Sequence, residues 1–340
     1  MKITLFPNLK PNPTQRSNPY IQDFITALEE EENTTVVNPP HKNPLLSLLP
    51  PCHWGDTFIF NWFENIPDSK YGILQAIIAI VFSSVVKLSG RKIVWILHNQ
   101  KPHTNEHAGW KKLLSWLIAQ YSSLIVTHAT DGVCLVKEKY PFAIHKTHFL
   151  HHPTKNKLPT DLQAFRQEKL YDLLIWGNIS KYKGVTTYVS YVRKHPESRL
   201  RICIAGKCAS DTLYDEIQKD LPPQITFIPH ALSFEELHEY IRQSHFVLAP
   251  YCPESVLSSG ILMDSLSFGC KVIGPHIGSF KDYADYPGLN VYTFHNFEDI
   301  ERLVITHKDD PVLPEAYARF LDGNDWKHFV NKIIHLVTSK

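Results

Sequence analysis

The feature that most constrains this chain is an alternation that runs almost from end to end. Short apolar runs of strand length are followed by longer runs with helical spacing. In the first half the strand-like runs are Lys2–Phe6, Thr35–Val37, Thr57–Asn61, Lys92–His98 and Leu124–His128. The helical runs are Tyr20–Glu32, Ile73–Leu88, Gly109–Tyr121 and Gly132–Lys139. Strand, helix, strand in succession predicts a mostly parallel sheet with helices on both faces, and functional residues at the carboxyl ends of its strands. Residues 145–165 are polar, hold two prolines and break the pattern, which predicts an inter-domain connection.

A second series then begins. Its strand-like runs are Asp172–Trp176, Leu200–Ala205, Ile225–Ile228, Phe246–Ala249, Lys271–Gly274 and Asn290–Tyr292. Helical runs fit Thr186–Lys194, Ser210–Lys219, Phe234–Ser244, Gly260–Phe268 and Phe297–Thr306, with a terminal helical segment over Glu315–Val337. The chain has 340 residues, beyond the size at which one hydrophobic core usually stops growing. The expected fold class is therefore α/β with two similar domains, at 1–150 and 165–315, and a closing helical segment at 316–340. That architecture alone permits many functions.

Composition removes several of them. Thirty-five basic residues almost balance thirty-four acidic ones, for a net charge of +1, so no electrostatic footprint for nucleic acid is present. The six cysteines form no CxxC pair and the nineteen histidines no HExxH pair, which predicts buried free thiols, a reducing compartment and no bound metal. The opening Met-Lys-Ile-Thr-Leu-Phe-Pro reads as a first strand and lacks the apolar core of a signal peptide, so cytoplasmic residence is expected. The uncharged run from Tyr71 to Val86 is sixteen residues long, below the ~20 that span a bilayer. A buried helix is the expectation. A helix lying on a membrane surface is the other option, because Lys70, Lys87, Arg91 and Lys92 flank the run.

Two stretches of the second half carry chemistry. In Ala249–Pro275 a strand and loop lead to Ser258-Ser259-Gly260 at a helix start. Free backbone N–H groups, two hydroxyls and the helix dipole together suit a phosphate or diphosphate, and Gly260 lets the backbone approach it. Simple N-capping explains the same serines equally well. Asp264, four residues on, shares a helix face with Gly260 and could reach a ribose, or merely face solvent. In Leu173–Val185 a strand ends at Trp176, Gly177 opens a tight loop, and Lys181 and Lys183 precede Gly184. A lysine at a strand's carboxyl edge suits pairing with a diphosphate as a point charge.

Taken together, these stretches resemble the donor-nucleotide domain of GT-B glycosyltransferases, near the large family 4. That family carries Gly-Arg-(x)n-Lys-Gly after the first strand of this domain, where this chain has Gly177-Asn178-Ile-Ser-Lys181-Tyr-Lys183-Gly184. The family then carries Glu-(x)7-Glu, where this chain has Val256 and Asp264, with Glu254 two residues early. Asn178 replaces the family's arginine, so the chain is a divergent relative. The resemblance implies that Lys183 contacts the diphosphate, that Asp264 holds the ribose, and that Ser258, Ser259 and Gly260 cover the phosphates beside Gly177 and Asn178. It also implies two Rossmann-like domains facing a cleft, a last helix crossing back to the first domain, and chemistry that needs no metal. The donor would be a UDP- or GDP-linked sugar, serving as substrate and not as a cofactor.

The first half adds Asn18-Pro19-Tyr20, Phe60-Asn61-Trp62-Phe63-Glu64 and Val94-Trp95-Ile-Leu-His98-Asn99-Gln-Lys-Pro102-His103. These resemble segments of bacterial surface-polysaccharide glycosyltransferases, which implies a saccharide or lipid-linked saccharide acceptor and work at the inner face of the membrane. Glu64, His98 and His103 fall at or just beyond strand ends. Inverting transfer needs one base for the acceptor proton, whereas retaining transfer can proceed without one. Glu64 is the first candidate, with His98 and His103 behind it, and a hydrogen-bond pair that orders the loop explains His98-Asn99 equally well. Two other readings compete. A dinucleotide-dependent oxidoreductase requires a GxGxxG loop that this chain lacks. A non-catalytic GT-B-like protein that binds a glycan or a partner draws support from the missing arginine and first glutamate.

Overall fold

The computed structural model describes residues 1–10, 19–100, 106–159, 168–251 and 256–339. Its first elements are β1 (Lys2–Phe6), α1 (Pro19–Glu30), β2 (Thr35–Val36), β3 (Thr57–Asn61), α2 (Gly72–Leu88), β4 (Lys92–Leu97), α3 (Ala108–Tyr121), β5 (Leu124–Thr127), α4 (Thr130–Lys139) and β6 (Thr147–Phe149). There follow β7 (Tyr171–Trp176), α5 (Val185–Lys194), β8 (Ile202–Ala205), α6 (Asp211–Gln218), β9 (Ile225–Ile228), α7 (Phe234–Arg242), β10 (Ser244–Leu248) and α8 (Gly260–Ser267). The last are β11 (Lys271–Pro275), α9 (Gly278–Ala284), β12 (Val291–Phe294), α10 (Glu298–His307), α11 (Pro314–Gly323) and α12 (Trp326–Thr338).

The chain divides into two units, Met1–Pro153 with Asn324–Lys340, and Thr154–Gly323. Each holds one six-stranded sheet, in the order β2-β1-β3-β4-β5-β6 and β12-β11-β10-β7-β8-β9. Every pairing is parallel. Sheets covered on both faces need strands that are apolar throughout, and β3 is buried at all five residues.

In the first unit Ile3, Leu5, Ile59, Val94, Ile96 and Val126 meet Phe24 and Leu28 of α1 and Phe329, Val330 and Ile333 of α12. In the second, Leu173, Ile175, Ile202, Ile204 and Phe246 meet Val189 and Val192 of α5, Ile217 of α6 and Ile300 and Val304 of α10. Leu262, Met263 and Leu266 of α8 pack with Phe280 and Tyr283 of α9 and Tyr317 and Phe320 of α11.

Three expectations are corrected. The stretch 145–165 is not connection throughout: Thr147–Phe149 is the edge strand β6, paired with β5. Three residues including Thr147 and His148 are too short and too polar to show a period of two. The terminal helical segment 316–340 does not pass to the first unit as a whole: Asn324-Asp325-Trp326 after Gly323 reads as a new helix start, and there the Asp325 carboxylate accepts from His328 N at 2.7 Å and starts α12. Only Asn324–Lys340 joins the first unit, while α11 belongs to the second, where Tyr317, Phe320 and Leu321 are buried. Finally, β4 and β5 stop one residue earlier than their apolar runs suggest, at Leu97 and Thr127. His98 and His128 therefore stand just past the carboxyl ends of their strands.

Candidate functional site

In the second sheet β8 and β9 extend to one side of β7, and β11 and β12 to the far side of β10. The neighbours β7 and β10 thus form a switch point, the crevice where open α/β sheets take ligands. After β7 the chain turns at Gly177, whose φ is +95°, and the Lys181–Lys183 turn ends at Gly184 with φ +70°. Both values lie in the region that glycine adopts without strain. A Cβ on Gly206, just past β8, would sit 1.8 Å from the Gly177 carbonyl oxygen, so the two loops require glycine where they cross.

The ammonium of Lys183 folds back over this turn, 3.6 Å from where a Gly177 Cβ would be. Burial pulls its pKa down to about 8. No side chain or carbonyl among the described residues bonds to it, which leaves a half-buried positive charge at the switch point. The α8 N-terminus stands beside it: Ile261 Cδ1 lies 3.4 Å from the same Gly177 position, and Trp176 Nε1 donates to Ser265 Oγ at 3.2 Å. Ser259 takes the capping role, its hydroxyl accepting from Leu262 N at 3.2 Å and donating to Tyr251 OH at 3.3 Å. Ser258 is half-buried and Gly260 is exposed, with open space where a Cβ would be. Asp264 meets Lys157 at 3.3 Å, and Asn178 is exposed.

The first sheet has its own switch point, between β1 and β3. Tyr20 opens the helix after β1, and Trp62, His98, His128 and His152 follow β3, β4, β5 and β6. Adjacent parallel strands bring these five rings together. Tyr20 lies 5.8 Å from Trp62, 4.9 Å from His98, 5.9 Å from His128 and 5.0 Å from His152, ring centre to ring centre. Trp62 stacks on His98 at 4.1 Å with an interplanar angle of 18°. It does so from a left-handed backbone, φ 51°, which a bulky residue adopts only when its surroundings hold it there. Trp326 of α12 closes the group, 5.0 Å from Tyr20.

Hydrogen bonds fix which nitrogens carry protons. Asn61 Nδ2 donates to the Phe6 carbonyl at 3.2 Å, which turns Asn61 Oδ1 toward His98 Nε2 at 3.0 Å. His98 Nε2 therefore donates, and its Nδ1 keeps a lone pair with no hydrogen-bond partner among the described residues. Burial, then the neighbouring His128 and His152, hold the His98 pKa well below 6.5. Burial likewise lowers His128 to about 3 and His152 to about 4, so all three rings are neutral near pH 7.

Glu64 stands apart from this cluster. It lies on the short Phe63–Asp68 turn and accepts from Trp95 Nε1 at 3.3 Å. Val94 and Ile96 face α1 and α12, so Trp95 between them faces the other side of the sheet. The Glu64 carboxyl is buried, which raises its pKa to about 7.

No protein-family model matches this chain. Over 333 residues it is 27% identical to the GDP-mannose:glycolipid 4-beta-D-mannosyltransferase of Xanthomonas campestris pv. campestris, covering 95% of this chain and 88% of that one. The structure of HepE from Anabaena, solved with UDP and glucose, matches with a TM-score of 0.70 at 12% identity, each chain covered in full. The chain has the GT-B fold. AviGT4, a glycosyltransferase involved in avilamycin A biosynthesis, matches with a TM-score of 0.60 at 14% identity, over 100% of this chain and 98% of that one. Fold and homology together support sugar transfer from a nucleotide sugar, and a non-catalytic glycan-binding role is not favoured.

Within this GT-B frame, the residues singled out from sequence fall into three groups. Gly177, Asn178, Lys183, Ser258, Ser259, Gly260 and Asp264 lie on the loops and helix that follow β7 and β10. His98 and Glu64 are both in the first unit, but on opposite faces of its sheet. His103 lies outside the described residues. Sequence reasoning missed His128 and His152. The signal available for His128 was its place at the end of an apolar run; His152 had none, because β6 is too short to read. No group of three His, Cys, Asp or Glu that could hold a metal ion occurs among the described residues.

Proposed function

We propose that this GT-B chain moves a sugar from a GDP- or UDP-linked donor to a hydroxyl of a lipid-linked saccharide, in the assembly of a bacterial surface polysaccharide. The observation that carries the reading is Lys183, a half-buried ammonium with no bonding partner among the described residues at the β7–β10 switch point, beside the N-terminus of α8. Its charge and the free N–H groups of α8 meet the charge that develops on the departing diphosphate, so the step needs no metal ion. Gly260, exposed and with open space above it, leaves room for the phosphates. The Asp264 carboxylate takes the ribose hydroxyls on exchanging its contact with Lys157.

In the step itself the acceptor oxygen bonds to the anomeric carbon as the bond from that carbon to the diphosphate oxygen breaks. The acceptor proton passes to Nδ1 of His98, the lone pair that Asn61 and Phe6 hold in place. Glu64, bonded to Trp95 on the other face of the sheet, takes a structural role. The relative named for GDP-mannose and a glycolipid makes a GDP-sugar the first donor to try and a lipid-linked saccharide the first acceptor. Such an acceptor places the reaction at the cytoplasmic face of the membrane.

The test is transfer of label from GDP-mannose, then from UDP-sugars, into a bacterial lipid extract, with and without EDTA and across pH. The reading expects activity that EDTA leaves unchanged, an acid limb of kcat/KM well below pH 6.5, and loss of transfer in His98→Ala with nucleotide binding intact. An acid limb near pH 7, abolished with the activity in Glu64→Gln, would move the base to Glu64.

A further inference from the structure

The helix α2 is apolar nearly all round, yet only one of its faces is covered by the protein. Toward the protein it turns Gly72, Ala76, Ala79 and Ser83, with Phe82 and Val86. Outward it turns Ile73, Leu74, Ile77, Val81, Val85 and Leu88, all between 43% and 86% exposed. At about 100° per residue these six side chains fall within an arc of roughly 120°. An apolar stripe normally faces the core; here the small residues face in and the large aliphatic ones face out. The neighbouring α3, tied to α2 by the Ser84–Tyr121 hydroxyl pair at 3.2 Å, adds exposed Leu113 and Trp116. A contiguous apolar face of this kind marks an interaction surface.

Charge decides between occupants. From Ser69 to Thr130 the sequence holds seven lysines and arginines and one acidic residue, Glu106, in a chain whose whole net charge is +1; of the seven, Lys111 is buried and spent on an ion pair with Asp68 at 2.6 Å. Lys70 and Lys87 stand exposed at either end of α2, and Lys112 is exposed on α3. A second copy of this chain would set like charge against like. The helix is 17 residues long, about 25 Å, and no helix among the described residues is long and apolar enough to cross a membrane.

We propose that the outward face of α2, with the adjoining side of α3, docks this chain on an anionic phospholipid bilayer, α2 lying in the plane of the interface. Its aliphatic side chains enter the acyl boundary, Trp116 sits at the headgroup level and the lysines meet lipid phosphates. The proposal builds on the reading that the acceptor is lipid-linked, and gives that reading its place of work.

The experiment is co-sedimentation of the full chain with vesicles of phosphatidylcholine alone and of phosphatidylcholine mixed with phosphatidylglycerol. Nucleotide binding is measured on the same samples. The wild type should bind the mixed vesicles. Ile77→Glu with Val81→Glu should lower partitioning at least about tenfold, and Lys70→Glu with Lys87→Glu should remove the preference for the anionic lipid. All these positions are exposed, and unchanged nucleotide binding and thermal melting would show that the variants are folded. Failure of the wild type to bind the mixed vesicles would overturn the proposal. So would equal partitioning by wild type and Ile77→Glu/Val81→Glu, or a solution dimer that this variant dissociates. Vesicle binding without nucleotide binding would uphold the docking face and count against the transferase reading; nucleotide binding without vesicle binding would do the reverse.

Discussion

The hydroxyl of Tyr20 donates to His128 Nε2 at 3.0 Å, across 108 positions of sequence. The direction is set at the other end of the ring, where His128 Nδ1 lies 3.0 Å from the Leu150 carbonyl, a group that can only accept. One tyrosine on α1 is thereby bonded to the residue after β5, while its ring packs on the residues after β3, β4 and β6 and on Trp326 of α12.

Tyr20→Phe keeps the ring and removes the donor, leaving a buried nitrogen without a partner. The expected loss is about 1–3 kcal/mol, read as a lower urea midpoint. Tyr20→Ala also removes the ring packing and should cost about 3–5 kcal/mol. Equal stability of Tyr20→Phe and wild type would show that the hydroxyl bond contributes nothing.

Acid should destabilise this unit through its imidazoles. Their folded pKa values lie below the ordinary 6.5, at about 3 for His128 and about 4 for His152. Below pH 6.5 the unfolded chain binds protons that the folded one refuses, so stability is present above 6.5 and is lost as pH falls toward these values. Thermal melts from pH 7 to pH 4 should show the fall, and His128→Gln should flatten part of it.

Glu64 works in the opposite sense. Its folded pKa, about 7, is raised from 4.5, so the folded state holds a proton that the unfolded chain has released. Stability from this group is present below 4.5 and is lost as pH rises through 7. Glu64→Gln should therefore gain stability at pH 8, by up to about 3 kcal/mol. A large loss of stability at pH 8 would show that the ionised carboxylate has compensating partners.

Gly206→Ala should damage the donor edge from outside it. The new methyl would meet the Gly177 carbonyl at 1.8 Å, both groups being backbone-anchored, so the turn that carries Lys183 must move. Nucleotide binding should weaken by about tenfold or more, with a lower melting temperature. Unchanged nucleotide binding would show that the ligand does not depend on this turn.

Much of this fold is legible in the sequence because its signals are local. Strands such as Lys92–Leu97 are buried on both sides and read as unbroken apolar runs, and the helices between them carry a 3.6-residue period. The donor edge is legible for the same reason: Gly177, Lys183 and Ser258-Ser259-Gly260 each lie within a few residues of a strand end or helix start. The histidine cluster is not. His98, His128 and His152 meet only because β4, β5 and β6 are neighbours in register, and β6 is a three-residue strand with no periodic signal. Glu64 and His98 look equivalent in sequence, both near strand ends, and only the alternation of Trp95 against Val94 and Ile96 separates their faces. For α2, the uncharged run reveals a helix and suggests a buried one, but not that its larger side chains face outward.

The central claim is that the β7–β10 edge with Lys183 holds the diphosphate of a nucleotide sugar. Calorimetric titration of the purified chain with GDP and with UDP, without added metal, tests it most directly when wild type and Lys183→Ala are compared. The expected result is binding of one nucleotide by the wild type and a loss of about tenfold to a hundredfold in Lys183→Ala, the worth of a charge-assisted contact of about 1.5–3 kcal/mol. Equal binding by the two proteins would contradict the placement of the donor, and binding of neither nucleotide would contradict the donor itself.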